Sequence, residues 1–387
     1  MAAEDPAVVA ASFRASEAIF TGMGAMLFAE FCRHAATDGE LLELAGHAMA
    51  GARPAHLFSA VHYLLLGDPG EPLARHFATI VDDPLSPQGS WPLLAEFCRR
   101  RRVELLDLLR TRSVQTTYAD RCCALLPPMC EVARAAGEPL NLIEIGCSAG
   151  VLLTFDHYAY RLDAQGLIGS AAAPVLLHGT LRDGPELFIP RIGRRIGIDL
   201  HVLDARSPED RRWLLALCFP ELREEQRRLA AALDVVAASD IIFLEGDGLA
   251  RLAEALAMAP DPLCVYHSAC LFYWPVEARA ALEAMLVETS RTRNFWRIAI
   301  EPSDTFDRWQ QGQAGDAPAL PAAAPSASRK TGEITIFEYA GGAVSRRPVG
   351  RPNSDYSVID WHAQAPAGAG ASIRTAENAR TAAREGS

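Results

Sequence analysis

The residues best placed to do chemistry are Glu144, Gly146, Cys147, Ser148 and Gly150, in the run Glu-Ile-Gly-Cys-Ser-Ala-Gly. Small residues let backbone come close to a ligand. A helix starting just after them would turn free N–H groups and a positive dipole end toward a carboxylate. Glu144 places negative charge nearby, which suits an amine or a sulfonium. A methionine-like zwitterion needs both features together. Two later acids extend the pattern: Asp199 closes one apolar run and Asp247 follows another. A carboxylate at a strand tip accepts two hydrogen bonds from ribose hydroxyls, and a second can meet the adenine edge. Each acid taken alone also fits an ordinary surface loop.

Several other residues carry two readings. His267 ends an apolar run, where it would act as a general base toward a hydroxyl or amine or serve as a structural histidine. Cys147 at a helix start would have a lowered thiol pKa, or be a small core residue. Tyr273 and Trp274 could stack on a planar substrate or pack in the core. Gln115 and Arg121 could cover a pocket or hold an interdomain hydrogen bond, and Glu301 could face the same crevice.

These residues must be held by regular elements. The first third of the chain has helical periodicity over Ala7–His34, His56–Leu66 and Trp91–Leu109, and Gln115–Ala136 reads as a helix interrupted at Pro127-Pro128. The texture then changes. Leu140–Ile145 is a short buried-strand pattern, followed by the small-residue turn and a helix over Val151–Leu162. Strand patterns recur at Arg195–Leu200, Ile241–Glu245, Leu263–His267 and Trp296–Glu301, with helices at Pro208–Leu233, Leu249–Met258 and Pro275–Thr289. Such alternation implies βαβ units and a parallel sheet. Glu333–Tyr339, Gly341-Gly342 and Ala343–Arg347 predict an antiparallel hairpin. Gln311–Ser328 predicts a mobile loop, and Gln364–Ser387, without large apolar residues, a disordered tail.

Composition narrows the partners. Half of the 387 residues are apolar, enough for a sizeable core, and no apolar run reaches membrane-spanning length. The net charge of −11 opposes a polyanion, so no nucleic-acid partner is expected. The Arg99–Arg102 run reads as a solvated helix face or a local anion contact. Nine cysteines without a C-x-x-C pair read as reduced thiols, and no metal site is expected. Met1–Pro6 lacks the regions of a signal peptide, which makes the cytoplasm the expected location.

Glu-x-Gly-x-Ser-x-Gly is similar to motif I of class I methyltransferases, with Ser148 at the middle glycine. The chain also resembles a bacterial family of unknown function that joins an N-terminal helical region to a methyltransferase-like domain. The matching stretches are Gln115-Thr116 with Arg121 and Leu125-Leu126-Pro127, Glu144 to Gly150, Asp156-His157-Tyr158, Arg195 to Leu200, and Glu245-Gly-Asp247. The resemblance covers most of residues 10–362. It departs at Thr117-Tyr118, where the family has Asn-Glu, at Leu152 in place of an asparagine, and at Asn353-Ser354-Asp355 before Trp361 in place of a His-Gly pair.

The expectation is an all-α N-terminal domain (1–114), then a Rossmann-type doubly wound, mostly parallel sheet with an antiparallel C-terminal hairpin (115–362), then a tail (363–387). The resemblance implies S-adenosylmethionine as cofactor, held by Glu144, Gly146, Cys147, Ser148, Gly150, Asp199 and Asp247. His267 would be the catalytic residue acting on a small-molecule or protein acceptor. Because 55 residues separate Glu144 from Asp199, against roughly 20 in a compact unit, Pro174–Pro190 must be an insertion. Two alternatives stay open. One is a non-catalytic scaffold that keeps the nucleoside-binding fold. The other is an α/β-hydrolase in which Gly-x-Ser-x-Gly is a nucleophile elbow, with Ser148, Asp247 and His267 as its triad. A nicotinamide dehydrogenase would want a third glycine where Val151 stands.

Overall fold

A computed structural model describes residues 5–137, 139–162, 165–303, 305 and 332–362. The predicted loop at Gln311–Ser328 and the tail at Gln364–Ser387 lie outside them. The fold is mixed α/β, with a helical N-terminal region and a large, mostly parallel sheet that includes antiparallel strands. Two compact units can be distinguished.

The first unit combines the chain up to Ala119 with Leu203–Ser239. It is helical. Asp5, Asp38 and Ser207 accept from backbone N–H groups at helix starts, the arrangement that satisfies orphan donors there. Its core is aromatic: Phe28 packs against Phe20, Phe31, Phe58 and Phe219. The arginine run is spent on ion pairs, with Arg99 on Glu96, Arg100 on Glu71, Arg101 on Glu104 and Arg102 on Glu43. The run straddles the end of the helix Trp91–Arg100 and the start of the helix Arg102–Thr111.

Two buried histidines give this unit a pH dependence. The His62 Nδ1–H donates to the Ala216 carbonyl at 3.0 Å, and Nε2 accepts from the Thr79 hydroxyl at 2.9 Å. Burial pushes His62 and His56 down to about 4. An unfolded imidazole titrates near 6.5, so the unfolded chain takes up protons first as pH falls. The stabilisation is complete above about pH 6.5 and is lost as pH falls toward 4, by roughly 3 kcal/mol per histidine. Denaturant midpoints should fall steeply between pH 7 and about pH 5, and His62→Gln should flatten that slope. An unchanged slope would count against this assignment.

The second unit holds the sheet. Its strands are β1 (Leu140–Ile145), β2 (Ala159–Leu162), β3 (Leu167–Ile168), β4 (Leu176–Arg182), β5 (Ile192–Asp199), β6 (Ile242–Glu245), β7 (Leu263–Ser268), β8 (Phe295–Pro302), β9 (Gly332–Ala340), β10 (Ala343–Pro352) and β11 (Val358–Trp361). The order is β3-β2-β4-β11-β10-β9-β8-β7-β1-β5-β6. Six of the ten pairings are parallel, including every one from β8 through β6. β1 is the middle strand of that parallel stretch and is buried along its whole length, so it is apolar apart from Asn141 and Glu144. Gly341 and Gly342, at φ of 58° and 82°, make the tight β9–β10 turn that Gly-Gly predicts. No helix among the described residues is long and apolar enough to cross a membrane.

Two local expectations are corrected. The Pro127-Pro128 pair does not interrupt its helix, which runs from Cys122 to Ala136. Both prolines are buried, and packing of this face outweighs the two lost donors. That helix also starts later than Gln115. The helix expected over Val151–Leu162 is instead a six-residue 3-10 turn (Leu152–His157) followed by β2. Side chains capture the carbonyls a helix would use. Tyr158 Oη and Thr154 Oγ1 donate to Val151 O, Tyr160 Oη to Phe155 O, and Arg195 to Leu153 O.

Candidate functional site

The carboxyl ends of β1, β5 and β6 lie side by side. β1 ends in Ile145, and Gly146 takes φ +80° to begin the turn. The Gly146 and Cys147 amides both donate to Ile198 O on β5, at 2.8 and 3.1 Å. Ser148, at φ +52°, donates its N–H to Asp199 Oδ2 at 2.7 Å. Asp199 Oδ1 accepts from His201 N at 3.1 Å. The acid at the tip of β5 is thus bonded directly to the glycine turn after β1. Burial raises its pKa, against the pull of those two amides.

Glu144 sits one turn of the pleat below, only 2% exposed, and its Oε2 accepts from Tyr266 Oη at 3.1 Å. Burial drives its carboxyl well above the usual range, opposed by the Tyr266 hydroxyl, reinforced by Asp199 and opposed by Arg121. A cation brought close would return it to the ionised form. Two hydroxyl oxygens in this unit, Ser148 Oγ and Ser268 Oγ, are buried without a hydrogen-bond partner among the described residues. Buried polar atoms are normally paired, so each marks a place where something polar fits.

The glycines have packing reasons as well. A Cβ on Gly146 would lie 2.5 Å from Cys270 Sγ, and one on Gly150 3.0 Å from Phe243. Cys147 faces inward, with its Sγ 2.7 Å from where a Gly197 Cβ would be. Burial raises the Cys147 thiol well above its ordinary value. The reactive-thiol reading therefore gives way to the core reading. The helix-dipole part of the expected carboxylate site also falls away, because Leu152–His157 is a short 3-10 turn with Thr154 off the helical conformation.

Asp247 is beside β6 but caps the helix Gly248–Met258, its Oδ1 accepting from Leu249 and Ala250 amides at 3.1 and 3.0 Å. The last residue of β6 is Glu245, whose Oε2 accepts from Val202 N at 3.0 Å. Glu245 was visible in the sequence as a strand-final acid, yet the expectation fell on Asp247. Arg195 and Asp156, from two stretches quoted for the resemblance, form a bidentate pair at 2.8 and 2.9 Å that ties the turn segment to β5.

His267 is the last residue but one of β7, beside Ile145 of β1, and is wholly buried. Its Nδ1 is 2.7 Å from Glu301 Oε1. Asp247, used as a helix cap, is not its partner. Ser148 Oγ and His267 Nε2 both lack partners among the described residues and so do not bond to each other. Ser148, Asp247 and His267 are therefore not joined as a hydrogen-bonded triad. Tyr273 is exposed and touches Phe272, while Trp274 packs over Gly248. An open groove of about 510 Å³ elsewhere in this unit, lined by Glu131, Arg134, Trp296 and Arg347 among others, contains none of the expected site residues.

A bacterial family described as "Uncharacterized protein conserved in bacteria (DUF2332)" matches the chain over residues 11–361. No curated protein and no solved structure matches it.

Proposed function

We propose, for a chain that belongs to this bacterial DUF2332 family, that the crevice at the tips of β1 and β5 binds S-adenosylmethionine and that the protein transfers its methyl group. The observation that carries this reading is the bond from Ser148 N to Asp199 Oδ2, which joins the glycine turn to the neighbouring strand-tip acid. Strand order supports it. In order along the chain, the parallel strands β1, β5, β6, β7 and β8 are arranged 3-2-1-4-5, as in Rossmann-type sheets that bind ligands where the order reverses. That reversal falls between β1, which carries Glu144 and leads into Ser148, and β7, which ends in Ser268.

The donor set fits a methionine-like zwitterion beside a ribose. Glu144 would hold the ammonium group, the unpartnered Ser148 and Ser268 hydroxyls the carboxylate, and Asp199 the ribose hydroxyls. Leu200, 63% exposed next to Asp199, offers an apolar platform for a flat base. The chemistry supplied by the bound cofactor is an electrophilic sulfonium methyl. The chain's own part is alignment and exclusion of water. This arrangement favours methyl transfer over acyl transfer, because the expected nucleophile, base and acid are not joined.

Hydrogen exchange with S-adenosylhomocysteine tests this. Exchange should slow in peptides spanning 144–151 and 198–202 and stay unchanged in β9 and β10. No protection at the turn, or protection confined elsewhere, would count against the site.

A further inference from the structure

We infer that Glu301 is a positioning residue that fixes His267 as a proton acceptor at Nε2. Only Nδ1 of the ring has a partner among the described residues, and that partner is the Glu301 Oε1, 2.7 Å away. That oxygen already accepts from two backbone amides, so it is an acceptor toward the ring as well; Nδ1 carries the proton and the Nε2 lone pair remains open. Both side chains are fully buried, which keeps water from competing for that lone pair.

The same Glu301 oxygen accepts from the Cys270 and Leu271 amides, each at 3.0 Å. One carboxylate thus sets the tautomer and holds the segment that leaves β7. That segment starts at Ala269, φ +51°, and carries Cys270 against Gly146. Nε2 itself is buried, so a substrate reaches it only where the chain around the ring gives way. The charged groups facing His267 are Glu301 and Arg297 from β8 and Glu283 from the helix Val276–Thr289. Burial outweighs the two acids and keeps the ring neutral. A neutral imidazole of this kind takes a proton from a hydroxyl or amine and passes it outward as the new bond forms. The identity of that group rests on the methyl-transfer reading; the orientation of the ring does not.

Nitrogen NMR of the imidazole in the full chain, without ligand, tests the inference apart from any failure to bind nucleoside. The wild-type ring should hold its proton on Nδ1 and stay neutral where an ordinary histidine titrates, near pH 6.5. Glu301→Gln keeps an acceptor oxygen but removes the charge. It should preserve the Nδ1–H form and make the ring harder to protonate. Glu301→Ala, where folded, should give mixed tautomers. A wild-type proton on Nε2, a switch to Nε2–H in Glu301→Gln, or an unchanged tautomer in folded Glu301→Ala would each overturn the assignment.

Discussion

Truncating Glu283 to Ala should destabilise the sheet-bearing unit by about 3–5 kcal/mol, the usual cost of stranding a buried charge. Its partner Arg297 is fully buried and forms an ion pair with Glu283, while Tyr339 Oη donates to the other carboxylate oxygen at 2.7 Å. The guanidinium also lies 4.0 Å from the Phe337 ring centroid, where cation–π attraction adds to the pair. Burial opposes the Arg297 charge, and Glu283, Tyr339 and Glu301 together more than offset it. Without Glu283 the largest part of that compensation is lost. Adding Arg297→Met should recover most of the loss, because a buried pair and an apolar pair of similar size are close in stability. Urea midpoints of both single variants and the double variant measure this. A single-variant loss below about 1 kcal/mol, typical of an exposed pair, would refute it.

The second large effect concerns ligand affinity. Asp199→Ala should weaken S-adenosylhomocysteine binding about 100-fold. Two ribose hydroxyls donating to one carboxylate are together worth about 3 kcal/mol, and 1.4 kcal/mol is roughly tenfold in Kd. Asp199→Asn keeps one acceptor oxygen and should fall between. The Asn variant also keeps an acceptor for the Ser148 amide, so the turn survives in it. Its affinity therefore reports ligand contacts apart from folding. Titration calorimetry reads both variants, and a change within twofold for Asp199→Ala would remove the ribose role.

Much of the sheet was legible because apolar runs between breakers leave few alternatives. β1 was expected at Leu140–Ile145 and is found there, and Gly341-Gly342 makes its hairpin turn. The segment after the turn was not legible. Leu152, Leu153 and Phe155 have helical spacing, yet Tyr158, Tyr160 and Arg195 take the carbonyls that would have closed the helix. Such captures depend on residues that only the folded chain brings close. β2, β3 and β4 were likewise hidden, because they pair with distant β11 or with one another. Leu203–Ser239 joins the helical unit from within the sheet region, which no local pattern signals.

The candidate site divides the same way. Glu144, Ser148 and Asp199 could be read from a strand, a small-residue turn and a strand-final acid. Tyr266 and Ser268 could not, since ordinary strand residues acquire roles only from register; Glu301 reads as a strand-end acid that could face the crevice, but its role comes only from the fold. His267 stands out by its residue type, and only the hydrolase alternative gives it a partner, Asp247, from the order Ser, Asp, His. Glu301 holds it instead, on the neighbouring strand β8.

The most direct measurement is a calorimetric titration of the unaltered full chain with S-adenosylhomocysteine. One saturable site, strongly weakened in Asp199→Ala, is the predicted result. A chain that is folded by its cooperative thermal transition yet gives no binding heat at any attainable ligand concentration would contradict the proposed cofactor site.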